Sequence, residues 1–185
     1  MLQIQISGAG QTLKVITGLT ERLDDLSPAL KEIGEDMVES TKRRFATATA
    51  PDGTPWKPNS PVTMARYASA VFKSPSHYKK DGTLRAASAQ KLAGKKPLTG
   101  ETRALQTTIN YQVDGSAVRI GSPMIYAGVQ QYGAKTGEFG MGAFKTRKGT
   151  FPIPWGDIPA RPFLGFSDTD QAAILDTMLA YLKPG

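Results

Sequence analysis

The sequence predicts an α+β fold in which a small antiparallel sheet packs on helices. Three observations lead there. Residues 108–122, TINYQVDGSAVRIGS, set two alternating apolar/polar runs on either side of Asp114-Gly115, the mark of a β-hairpin. Residues 11–45 and 167–183 instead repeat apolar side chains at three- and four-residue steps, the period of an amphipathic helix. The long stretches between them are basic, glycine-rich or proline-rich, and read as loops.

In chain order, Leu2, Ile4 and Ile6 alternate with polar residues as a half-buried strand does, and Gly8 and Gly10 end it. Leu13, Ile16, Leu19 (or Thr20) and Leu23 then form one helical stripe, and Leu30, Ile33, Met37 and Phe45 form another. Ser27-Pro28 between them is an N-cap followed by proline at the first helical position, so two helices are expected, or one long helix broken near Ser27. PDGTPWKPNSP, residues 51–61, is a stiff loop with a turn at Asp52-Gly53 and Trp56 set between prolines. Ser60-Pro61 starts a helix that runs to residue 71, and a short helix is expected over 100–106. In the hairpin, a two-residue Asp114-Gly115 turn puts Val113 opposite Ser116, Tyr111 opposite Val118 and Ile109 opposite Ile120. These five apolar residues share a face for which the long N-terminal helical segment is the expected lid. Pro123 opens a helix whose apolar side is Ile125, Tyr126 and Val129, with Tyr132, and which ends at Gly133. After a proline-studded strap, Ser167 and Asp170 resemble a capping box for a last helix with the stripe Ile174, Met178 and Tyr181/Leu182. Residues 1–185 read as a single α+β domain, with mobile basic loops at 73–98 and 134–150.

Composition narrows the function. The 185 residues include no cysteine, which excludes disulfides and thiolate metal sites. Neither a signal peptide nor a spanning helix is evident, so no membrane association is expected. Net charge is +7, which suits nucleic acid or acidic protein partners. Seven Lys/Arg and one acid, Asp81, lie between Lys73 and Lys96. Lys79, Lys80, Arg85, Lys91, Lys95 and Lys96 from that run, with Lys145, Arg147 and Lys148 from the second, form a candidate basic contact surface. Its alternative reading is a nucleic-acid-binding module, because Tyr67, Phe72 and Tyr78 flank the first run and Phe139 and Phe144 the second. No catalytic constellation is evident: His77 is the only histidine and reads as a solvated loop residue, and the acids are scattered along presumed polar helix faces. Neither a P-loop nor a dinucleotide fingerprint is present, so no enzyme activity, cofactor or metal is expected.

The strap FPIPWGDIPARPFLGFSDTD, residues 151–170, stands out. Its prolines exclude a central strand, and its aromatic residues need something to bury against. Rigid aromatics beside an arginine are the usual makings of an interface hot spot. Trp56, Tyr126, Trp155, Arg161 and Phe163 are therefore the expected protein-interface residues, with the strap gripping another polypeptide; the alternative for Trp56, Trp155 and Phe163 is that they seal the edge of this chain's own core.

Three segments in order carry a family resemblance. RRFATATAPDGTPWKPNSPVT, PLTGETRALQTTINYQVDGSAVRIGSPMIYAGVQQYG and IPARPFLGFSDTD resemble elements of the phage virion morphogenesis (tail completion) protein family of Mu-like and P2-like phages. Gln130 stands where that family often has histidine. The resemblance implies a structural phage protein acting in tail completion and head–tail joining, a ring-forming component of the virion neck assembled in the host cytoplasm. It implies a homo-oligomeric ring, with six copies the leading count, against neighbouring neck, tail-terminator and connector proteins. The basic loops would then steer the chain toward acidic neighbouring rings or meet DNA in the channel.

Overall fold

Helix breaks and caps fall where the local chemistry puts them. The computed structural model describes residues 9–100, 102–138, 143–147, 149–152 and 156–183. The strand expected at residues 2–6, Trp155 and Lys148 lie outside the described residues. Helix α1, Ala9–Asp24, and helix α2, Ser27–Thr47, are separate. At the break, the Asp25 carboxylate accepts the Ser27 N–H at 3.0 Å. Hydrogen bonding from Ser27 holds the Asp25 carboxyl below the usual carboxylate range.

The chain divides into two units. The first comprises residues 1–40, 110–121 and 166–185. Here strand β1, Asn110–Asp114, pairs antiparallel with strand β2, Ala117–Gly121. The observed register sets Val113 opposite Val118 and Tyr111 opposite Ile120, two residues away from the expected pairing. The turn residues are Gly115-Ser116 rather than Asp114-Gly115. Gly115 has φ 57° and Ser116 does not share a positive φ, so glycine takes the first central position as a type II′ turn requires. Because the slip is by two, the predicted apolar face is preserved. Tyr111 carries that face onto α2: its ring sits over Gly34, and its hydroxyl donates to Glu35 Oε1 at 3.2 Å. Ala29, Leu30, Ile33 and Met37 are the buried side of α2 in this unit.

A β-carbon at Gly34 would stand 2.3 Å from Tyr111 Cδ2. Gly34→Ala is expected to cost about 1–3 kcal/mol through displacement of the hairpin, outweighing the roughly 1 kcal/mol that alanine adds in a helix. Thermal melts of the two proteins check this; a stabilised variant would mean that Tyr111 does not pack there.

Helix α7, Asp168–Leu182, completes the first unit with the expected capping box, Ser167 and Asp170 satisfying each other's backbone N–H. The Ser40 hydroxyl also donates to Asp170 Oδ1 at 2.5 Å, so the capping carboxylate is held on a second side. At the other end of α7, Arg22 donates to the Tyr181 carbonyl at 3.1 Å, and the Tyr181 hydroxyl donates to the Asp25 carbonyl at 2.5 Å. The predicted α1 stripe is present but exposed, with Leu13, Ile16, Leu19 and Leu23 all open to solvent.

The second unit comprises residues 41–109 and 122–165. Helix α3, Pro61–Val71, is capped as expected: the Ser60 hydroxyl accepts the Thr63 N–H at 3.2 Å and proline follows it. The stretch read as a loop over 73–98 holds a 3-10 turn at Pro75–His77 and helix α4, Ala86–Ala93. Alanine content rather than periodicity makes α4, and only Ser88 on it is buried. His77 is half-buried rather than solvated, its ring 5.2 Å from that of Phe72 and its Nδ1 3.1 Å from Ser88 Oγ. Helix α5, Ala104–Thr107, and helix α6, Ala127–Tyr132, are shorter than expected. The other predicted loop, 134–150, holds strand β3, Ala143–Thr146, which pairs antiparallel with strand β4, Gly149–Pro152, at the loop's end.

Candidate protein interface

Residues 156–165 of the strap lie inside the second unit, and their side chains find partners in their own chain. Phe163 is 0% exposed. Phe45 lies at the centre of an aromatic cluster, its ring 5.3 Å from that of Trp56 in an edge-on arrangement and 5.5 Å from that of Phe163. The Trp56 indole N–H donates to the Pro162 carbonyl at 2.7 Å, and Arg44 donates to the Phe163 carbonyl at 2.8 Å. A proline-rich strap has few N–H groups to offer a sheet, so its carbonyls take side-chain donors instead.

Arg161 turns inward as well. Its Nε donates to the Lys57 carbonyl at 2.8 Å and a terminal nitrogen donates to the Pro58 carbonyl at 2.9 Å. Burial lowers its pKa, and the two carbonyls supply the compensating hydrogen bonds. The expectation that Trp56, Arg161 and Phe163 face a neighbouring chain therefore put on the surface three side chains that the structure buries. The tryptophan loop and the strap need each other, since each supplies the partner for the other's backbone.

The other edge of the strap is stitched to α6. The Arg161 N–H donates to the Gln130 carbonyl at 2.8 Å. The side-chain oxygen of Gln131 accepts the N–H groups of Phe163 and Leu164 at 2.9 and 3.0 Å, while its amide donates to the Leu164 carbonyl at 2.9 Å. Ala134 and Ile158 exchange backbone hydrogen bonds just beyond. Gly133 joins these contacts at φ 78°, and a β-carbon there would lie 2.8 Å from both Ala160 N and Ile158 O. Sequence reasoning missed Gln131; its signal was a polar residue in an apolar motif.

What this clamp presents outward is the rim of α6. Ile125 is 99% exposed and Tyr132 81% exposed, and Tyr126 is partly exposed. Sequence periodicity placed these on a buried side of a longer helix; α6 starts only at Ala127, which leaves Ile125 ahead of it. Tyr126 also lines a groove of about 580 Å³, with Tyr67 and Leu98 and with the cations Arg66, Lys95 and Lys96. Lys95 Nζ stands 4.7 Å from the centroid of the Tyr67 ring. Lys79, Lys80, Arg85, Lys91, Lys96 and Arg147 are exposed and Lys95 is half-buried. The side chain of Lys145 lies outside the described residues, as do Lys148 and Trp155.

Among the described residues, no group of three or more His, Asp or Glu could hold a metal ion, and no helix is long and apolar enough to cross a membrane. The phage virion morphogenesis family model matches residues 9–183. The chain belongs to that family. No curated protein and no solved structure matches it significantly. Membership makes this a structural protein of bacteriophage virion morphogenesis. The family match spans the tryptophan loop, α6 and the strap, the three segments the clamp joins.

Proposed function

We propose that this virion morphogenesis protein acts in tail completion and head–tail joining, as a ring-forming component of the neck. The observation that supports this best is the exposure of Ile125 and Tyr132 at 99% and 81%, next to a segment fixed by the strap. Large apolar side chains carried in the open on a backbone that is already fixed spare the contact the cost of ordering that backbone, which helps make an interface anchor effective. The strap's role in this reading is indirect. It grips the chain's own Trp56 loop and α6, and thereby holds the α6 rim in a fixed pose toward a neighbouring polypeptide.

The test is a particle made without the protein. Filled heads and complete tails are expected to accumulate unjoined, and adding the purified protein to the mixture restores infectivity. Heads and tails that join normally without it contradict the assignment. The exposed lysines and arginine at 79, 80, 85 and 91 favour one second reading, a DNA-binding module. That reading requires tight duplex binding which falls steeply with salt, because neutralised phosphates release counterions.

A further inference from the structure

Charge is divided sharply between the two units. The first carries five Lys/Arg against eleven Asp/Glu, a net charge of −6. The second carries eighteen against five, a net charge of +13. A single chain therefore offers one strongly acidic and one strongly basic body.

Apolar surface accompanies each sign. On α7, Leu175 and Leu179 are 59% and 54% exposed, and Asp168 and Asp176 are exposed on the same helix. Positions 168, 172, 175, 176 and 179 share one face at helical spacing. No Lys or Arg occurs between Asp168 and Leu182. In the second unit, the groove of about 580 Å³ joins apolar lining from Tyr67, Leu98 and Tyr126 to the cations Arg66, Lys95 and Lys96; the one acid among the described lining residues, Asp157, already accepts from the Thr136 N–H and hydroxyl. A helix that offers leucines beside carboxylates matches a groove that offers aromatic and aliphatic surface beside cations. The other exposed stripe, on α1, carries Lys14 and Arg22 with Glu21 and Asp24, so its charge is balanced and the groove has no electrostatic preference for it.

We propose that the outer face of α7 of one copy docks in the groove of the second unit of the next copy. This rests on the reading of the protein as a ring-forming component, and it names the two surfaces that build the ring. Helix and groove are different patches on the same chain, so the contact is heterologous and propagates head to tail, closing into a ring when the rotation between copies divides a full turn. A second copy is the occupant because the complementary charge and the complementary apolar face are both encoded in this chain. Opposite net charges also speed encounter, an effect that salt screens over about 8 Å at physiological ionic strength.

The experiment uses the full chain as two double variants and one single control, with sedimentation velocity at low and high salt as the readout. Leu175→Asn with Leu179→Asn removes the helix patch, and Arg66→Glu with Lys96→Glu reverses the groove; Arg66→Glu alone serves as the check on folding, alongside circular dichroism of each protein. The wild type is expected to form oligomers that loosen as salt rises. Each variant is expected to remain folded and to lose about 100-fold or more in self-association. An equimolar mixture should stop at one-to-one heterodimers, because each variant keeps one intact patch. A monomeric wild type overturns the proposal. So does a groove variant that assembles normally, or one that loses only DNA binding, since the groove then serves another occupant. These results leave the neck assignment standing if particles lacking the protein still fail to join. Conversely, if the variants behave as expected but heads and tails join without the protein, it is the neck assignment that fails.

Discussion

Phe163→Ala is expected to destabilise the second unit by about 3–5 kcal/mol, the cost of removing a fully buried aromatic ring and leaving a cavity. The phenyl ring is 0% exposed and lies 5.5 Å from that of Phe45, which in turn carries Trp56. The backbone on both sides is tied down. Arg44 and Gln131 hold the Phe163 carbonyl and N–H at 2.8 and 2.9 Å, and Trp56 holds the Pro162 carbonyl at 2.7 Å. The cavity therefore cannot close by a simple shift of the strap, which places the cost at the upper end of the range. Domains are typically stable by only about 5–15 kcal/mol, so the loss is a large share of the total. Denaturant titration followed by circular dichroism measures it. A loss below about 1 kcal/mol would mean that the strap is not part of the core.

The opposite outcome is expected at the α6 rim. Ile125→Asp with Tyr132→Asp should leave the melting transition within about 0.5 kcal/mol of wild type, since both side chains are solvated. Head–tail joining should be abolished, because truncating a hot-spot residue costs about 2 kcal/mol or more and an aspartate adds the burial of an unpaired charge. Complementation of phage lacking the protein, scored as infectious titre, is the measurement. Normal titre from a folded double variant would show that this rim meets no partner. Together the two variants separate an internal clamp from an external contact: the clamp variant fails in folding and the rim variant in assembly.

Features decided by neighbouring residues were legible in the sequence. The break before Ser27, the Ser60 cap, the Ser167–Asp170 capping box and the hairpin each depend on contacts a few residues apart, and each is present. The hairpin register slipped because the choice between Asp114-Gly115 and Gly115-Ser116 depends on which turn position takes the positive φ, and glycine suits either. Helix α4 escaped because it buries only Ser88 and so leaves no apolar period to read. Strands β3 and β4 are four residues each, too short for alternation to register. The candidate site was legible in composition but not in direction. Proline, tryptophan and arginine marked the strap and its loop as rigid. Their partners, however, lie far along the chain: Trp56 meets Pro162 and Arg161 meets Lys57 across more than a hundred residues. No local pattern says whether such partners belong to the same chain or to another. The exposed rim was hidden for the converse reason, because Ile125, Val129 and Tyr132 keep helical spacing although Ile125 precedes the helix.

A density map of the neck of purified virions tests the central claim most directly. The account predicts a closed ring of this chain between head and tail, with Phe163 enclosed within each subunit and Ile125 and Tyr132 pressed against a neighbouring polypeptide. A neck without this chain, or a ring in which Ile125 and Tyr132 face open solvent, would contradict it.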